Sequence, residues 1–183
     1  MNVWNRRRFI AFTVAASAAV SWTGATLRAT AAERAPRWIE LENIHTNEIT
    51  RVAFENADGF APGAAARLQH LLRDYRTGEE HEMDSRLYVQ LCDLAAAAGR
   101  EPRYQVISGY RSPATNAKLH EQGHGVAEHS LHMQGRAMDV RLRGCELRVL
   151  RDLALAAQRG GVGYYPHSNF IHLDTGRVRS WEG

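Results

Sequence analysis

Cysteine is scarce in this chain: Cys92 and Cys145 are the only two among 183 residues. That excludes a scaffold stapled by several disulfides. It leaves one disulfide at most, with two buried free thiols the equal alternative, because both residues sit in apolar helical patterns. A long apolar run is missing too. Phe9 to Trp22 is nearly uncharged but spans 14 residues, short of the about 20 that a membrane-spanning helix needs. After residue 31 the chain has no internal repeat, no low-complexity stretch and no surplus of positive charge. Arg6, Arg7, Arg8 and Arg28 fall within residues 1–31 and no acidic residue does, so the remainder holds 19 of the 23 basic residues against all 20 acidic ones. The basicity belongs mostly to the first segment and gives no basis for a nucleic-acid partner.

The first 31 residues have a layout of their own. A basic start, Asn5-Arg6-Arg7-Arg8, precedes the Ala-rich apolar run, and Ala29-Thr30-Ala31 offers a small-x-small cleavage site. This pattern predicts a secretory signal peptide over residues 1–31 and one domain over 32–183. The adjacent arginines before Phe9-Ile10 also resemble a twin-arginine signal. Neither cysteine lies at the end of the segment, where a lipid attachment site would need it. The expected product is exported and has no membrane span after processing.

Beyond the signal, alternation over Arg37–Ile44 and Glu48–Phe54, split by Thr46-Asn47, predicts a β-hairpin. Ala65, Leu68, Leu71 and Leu72 are spaced for a helix over Pro62–Tyr75. Asp84-Ser85 offers a cap for a second helix through Leu87, Leu91, Leu94 and Ala98, ending near Gly99. Tyr104–Ile107 reads as a short strand, Pro113–Gln122 as a short helix, and Gly123–Gly135 as a polar, histidine-rich loop. Ala137–Leu142 reads as a strand and Glu146–Gln158 as an amphipathic helix. Two short strands, Val162–Tyr165 and Phe170–Leu173, flank Pro166. The order implies an α+β domain with helices packed on a small, mostly antiparallel sheet.

The chemistry concentrates in Ser130-Leu-His132-Met-Gln-Gly135-Arg-Ala-Met-Asp139 and in Asn169-Phe-Ile-His172-Leu-Asp174. Side chains alternate across a strand. With Met138, Val140, Ile171 and Leu173 in the core, Asp139, His172 and Asp174 face the other way. If the strands are neighbours, Asp139 and His172 meet, and His132 arrives from the loop before Gly135, a residue that permits a sharp turn. Two imidazoles and a carboxylate suit Zn²⁺ and leave a fourth position open, as catalytic rather than structural sites do. Taken singly, each of these residues is more often an ordinary surface or hydrogen-bonding group, so the spacing alone does not decide.

Ser130-x-His132-x-x-Gly135-x-Ala137-x-Asp139, the late strand residue His172 and Ser108-Gly109-Tyr110-Arg111 together resemble the D-alanyl-D-alanine metallopeptidase superfamily, whose fold the hedgehog signalling domain shares. Gly160 to Pro166 and Arg179-Ser180-Trp181 look like its MepK-type murein endopeptidase branch. The likeness runs from about Arg37 to Trp181. It implies one zinc per chain on His132, Asp139 and His172, and Arg111 at a developing oxyanion or a substrate carboxylate. It places Tyr110 and Ser130 beside the substrate, with Ser130 alternatively a partner of the first imidazole or a cap. Many relatives carry a general-base Glu three residues before the last His, where this chain has Asn169. Asp174, His167 and, more weakly, His129 are the replacement bases. The bland readings are a salt bridge for Arg111 and an exposed loop position for His167.

The resemblance implies a periplasmic enzyme acting on peptidoglycan peptides, a murein endopeptidase cutting cross-links. D,D- or L,D-carboxypeptidase action on stem peptides is the close alternative. A non-catalytic zinc-containing wall-binding module is a second, suggested by Asn169. A metal-free secreted domain is a third, and it requires His132, Asp139 and His172 to lie far apart.

Overall fold

In a computed structural model the protein is described at residues 37–56, 59–123 and 127–183. The expected signal segment lies outside the described residues. The fold is that of the unit Glu33–Gly183. Among the described residues no helix is long and apolar enough to cross a membrane.

Strands β1 (Arg37–Asn43) and β2 (Ile49–Asn56) form the expected antiparallel hairpin. Its turn uses Asn47 at φ 59°, a left-handed conformation that Asn tolerates better than most side chains. A two-residue β3 (Gly59–Phe60) extends the sheet. Helix α1 (Pro62–Leu71) starts on its proline, which fits the first turn because no N–H is needed there. Helix α2 (Ser85–Ala97) is capped by the Asp84 carboxylate, which accepts from the Arg86 N–H. Strand β4 (Arg103–Ser108) lies parallel to β1. Helix α3 (Pro113–Glu121) has Ser112 as its cap, and a short 3₁₀ helix spans Leu131–Gln134. Strand β5 (Ala137–Leu142), helix α4 (Leu147–Ala157), and strands β6 (Gly161–Tyr165), β7 (Phe170–Asp174) and β8 (Arg179–Glu182) complete the unit.

All strands join one sheet in the order β3-β2-β1-β4-β5-β7-β6-β8. Only the β1–β4 and β6–β8 pairs are parallel. The α+β class and the mostly antiparallel pairing match expectation. The sheet is larger than the small one expected, because β3 and β8, too short to show a period in sequence, add to its edges. Helices α1, α2 and α4 pack on the sheet around Ile39, Leu41, Tyr104, Val106, Met138, Val140, Ile171 and Leu173, each at most 1% exposed. Cys92 and Cys145 are both half-buried, and no disulfide joins them.

Leu41, fully buried in β1, is a direct test of this core. Leu41→Ala is expected to lower unfolding stability by about 3 kcal/mol, read as a fall in the denaturant midpoint. An unchanged midpoint would place β1 outside the cooperative core.

Candidate metal centre and its cleft

Strands β5 and β7 pair antiparallel with Asp139 directly opposite His172. Met138 and Val140 of β5 and Ile171 and Leu173 of β7 point to the core, so both polar side chains emerge on the face away from it. His132 joins them from the 3₁₀ helix. Gly135 ends that helix at φ 63° and turns the chain towards β5; a Cβ there would strike the Glu82 carbonyl at 2.0 Å. The three donor atoms form a small triangle. His132 Nε2 lies 3.2 Å from His172 Nδ1, Asp139 Oδ1 lies 2.9 Å from His172 Nδ1, and His132 Nε2 lies 3.3 Å from Asp139 Oδ1. All three residues are buried, and together they make a group that can hold a metal ion. The metal-free reading, which needed them far apart, is not what the structure shows.

The outer nitrogens fix the orientation of both rings. His132 Nδ1 is 2.7 Å from the Gly109 carbonyl, which only accepts, so Nδ1 carries the hydrogen and Nε2 turns a lone pair inward. His172 Nε2 donates to Asp174 Oδ2 at 3.1 Å, which aims Nδ1 inward. Two different segments thus act as props. The Gly109 segment is itself braced: the Tyr110 N–H donates to the Leu72 carbonyl and the Arg111 N–H to the His132 carbonyl. Buried Asp74 accepts from the Ser112 N–H and hydroxyl. A Cβ at Gly109 would lie 2.5 Å from the Leu72 carbonyl oxygen, so only glycine allows this approach.

Electrostatics follow from that geometry. Burial pushes the His172 imidazole down, but its bonds to Asp139 and Asp174 outweigh burial and hold it up, at about 9. Burial lowers His132, against the pull of Asp139. Burial would raise Asp139, yet the two imidazoles hold it well below the usual carboxylate range. In the metal-free protein His172 is therefore the imidazolium at neutral pH and His132 is neutral.

A cavity of about 320 Å³ opens over the triad, lined by Arg111, His129, Ser130, Tyr165, Phe170 and Trp181 among others. Of the residues singled out in the sequence, Arg111 reaches it, 9% exposed, with Nη2 at 3.8 Å from Asp139 Oδ2. Ser130 lines it too, but its hydroxyl accepts from the His132 N–H and acts as the cap. Three others stand elsewhere. Tyr110 is buried and stacked on His81, with ring centroids 4.8 Å apart, and lines no part of the cavity. His167 is exposed in the turn between β6 and β7, outside the cavity lining. Asp174 is fully buried behind His172, its oxygens accepting from Gly161 N–H, Gly176 N–H, His172 and Arg179. With those bonds in place it stands outside the cavity lining and holds the outer nitrogen of His172.

Comparison with known proteins gives the family. Residues 30–181 match the family model described as peptidoglycan L,D-endopeptidase MepK. The chain belongs to the MepK family. It is 42% identical over 178 residues to the peptidoglycan L,D-endopeptidase MepK of Escherichia coli K12, covering 97% of each chain. It is 43% identical over 149 residues to the probable peptidoglycan L,D-endopeptidase MepK of Haemophilus influenzae, covering 81% of this chain and 80% of that one. No solved structure matches.

Within this MepK-family chain, Asn169 takes φ 54° in the β6–β7 turn, which accounts for Asn at that position in conformational terms. The aromatic wall of the cleft was legible only as part of the resemblance. Tyr165 and Phe170 stack across the turn at 4.6 Å, and Trp181 of β8 donates its indole N–H to the Tyr165 hydroxyl at 2.9 Å while its ring stands 5.1 Å from His172.

Metal entry must displace the inward proton of His172, so affinity is expected to rise with pH up to about 9. Calorimetry at pH 7 in buffers of differing ionisation enthalpy should show roughly one proton released per metal bound; zero release would contradict the assigned imidazolium. Asp174→Asn should weaken metal binding by about 10–100-fold in competition with a chromophoric chelator, and wild-type affinity would remove its positioning role.

Proposed function

We propose that this chain is an exported, zinc-dependent murein endopeptidase with one zinc on His132, Asp139 and His172. Its substrate is the peptide cross-link of peptidoglycan, cut in the periplasm, and residues 1–31 direct export. The observation that carries the metal reading is the donor triangle with sides of 2.9, 3.2 and 3.3 Å. Tetrahedral zinc with bonds of about 2.0 Å needs donors about 3.3 Å apart. Family membership supports the cross-link as substrate, since the relatives are peptidoglycan L,D-endopeptidases by name. The single domain over 32–183 adopts the architecture of the D-alanyl-D-alanine metallopeptidases and hedgehog domains in this reading.

The division of labour follows from the cleft. Zinc, when bound, polarises the scissile carbonyl and makes water a better nucleophile at neutral pH. The chain's own residues do the rest. Arg111, with a fixed positive charge beside Asp139, faces the oxygen on which negative charge develops. Tyr165, Phe170 and Trp181 wall the cleft and exclude water from one side. Of the three bases offered by the sequence, His129 alone lines the cavity, and it takes the proton of the attacking water.

Purified cross-linked muropeptides are the test. Loss of cross-linked dimers in the mass spectrum, stopped by a chelator and restored by zinc, is expected. Shortened stems with intact cross-links would instead identify a carboxypeptidase, and no change with zinc-loaded protein would identify a wall-binding module. His132→Ala should abolish cleavage. His129→Gln should lower kcat by about 100-fold or more and hardly alter KM, whereas His167→Gln should behave as wild type. The reverse ranking of these two histidine variants would transfer the base role to His167.

A further inference from the structure

A second cavity, about 530 Å³, adjoins the metal cleft and shares Arg111, Asp139, Tyr165 and Phe170 with it. It runs along one side of α3, past Thr115, Lys118 and Gln122, to Arg76 in the segment after α1. Its ionisable lining is unbalanced. Arg76, Arg111 and Lys118 bring positive charge, and the single carboxylate, Asp139, is turned to the two imidazoles. Among the described residues neither Arg76 nor Lys118 has an ion-pair partner. Lys118 is the only lysine in the sequence.

Arg111 shows the same deficit from inside. It is nine-tenths buried, yet its Nε has no hydrogen-bond partner. Its remaining contacts are long: 3.4 Å from Nη1 to Asn116 Oδ1, 3.5 Å from Nη2 to Ser108 Oγ, and 3.8 Å to Asp139. A buried guanidinium normally finds short, forked acceptors. Arg76 is held in place as well. Its N–H donates to Asp74 Oδ1 at 3.0 Å, and its guanidinium lies over Tyr75 at 4.2 Å, a ring that itself stacks on His45 at 3.9 Å. Three cations converge on one open space whose single carboxylate, Asp139, is turned to the imidazoles.

We propose that this second arm of the cleft binds the free carboxylates of the substrate peptide on one side of the scissile bond, with Arg76 and Lys118 as the recognising residues. The proposal rests on the endopeptidase reading and adds a charge requirement to it. Diaminopimelate carries a carboxylate at each of its two centres, so a cross-link between two such residues presents an anion close to the bond that is cut. A neutral or amidated peptide leaves the arm's charges unmatched, which gives discrimination by an unpaired group as well as by a new contact.

The test compares two cross-linked muropeptide dimers, one with free diaminopimelate carboxylates and one with those groups amidated. Binding is measured by calorimetry on the metal-free protein and cleavage on the zinc-loaded protein. The free-acid dimer should bind about tenfold more tightly, and Arg76→Gln plus Lys118→Gln should remove that preference while barely changing affinity for the amidated dimer. In cleavage the loss should fall on KM and spare kcat. Arg148→Gln, an exposed charge on α4, is the control and should change nothing. Equal binding of both dimers by wild type, or equal losses in the control, would overturn the proposal, and continued cleavage of either dimer would show that the endopeptidase reading survives it. Failure of wild type to bind or cut either dimer would overturn both.

Discussion

The antiparallel register of β5 on β7 sets Asp139 opposite His172, and a slip of one residue would turn both to the core while sending Met138 and Leu173 outward. Both faces are committed, so the slip is resisted from either side. Met138, Val140, Ile171 and Leu173 are essentially inaccessible, and their burial under the helices holds the polar face in place. The hydrophobic core thereby does chemical work: it fixes the spacing of two of the three residues that could hold a metal ion.

The third donor is tied in by backbone. His132 accepts its orientation from the Gly109 carbonyl and returns a carbonyl to the Arg111 N–H. The loop that carries Arg111 and the helix that carries His132 are therefore one hydrogen-bonded unit, anchored to the end of α1 through Leu72 and Asp74. Asp174 plays the matching part for His172 and draws Arg179 of β8 into the same network. In the metal-free state the raised His172 contributes stability below about 6.5, and that contribution is lost as pH rises through about 9. A metal ion held by His172 would replace the proton in the same position, so ion and proton would compete for one structural role.

Much of this was readable beforehand where a period was long enough to show. The alternation in β5 and β7, the Asp84 cap and the leucine spacing of α2 all correspond to observed elements. The faces of Asp139, His172 and Asp174 followed from period two alone. What period two could not say is direction along a strand. Asp174 shares the face of His172 but sits beyond it, next to the far nitrogen and outside the cavity lining. Tyr110 was misplaced because its motif mixes roles: in Ser108–Ser112 the backbone of Gly109 and the side chain of Arg111 serve the site, while the Tyr110 ring packs on His81. β8 was missed because four residues with half-exposed side chains carry no pattern. Arg76 and Lys118, 42 positions apart in sequence, come together only through tertiary structure.

Helices α1, α2 and α4 all cover the core side of the sheet, while the donors, the aromatic wall and the cationic arm lie where those helices do not reach. Among the described residues the working surface is consequently a pair of joined clefts on a solid backing. A free oligopeptide can thread into a deep pocket, but a covalent mesh far larger than the protein cannot. A cleft that opens beside such a mesh needs no loose chain end.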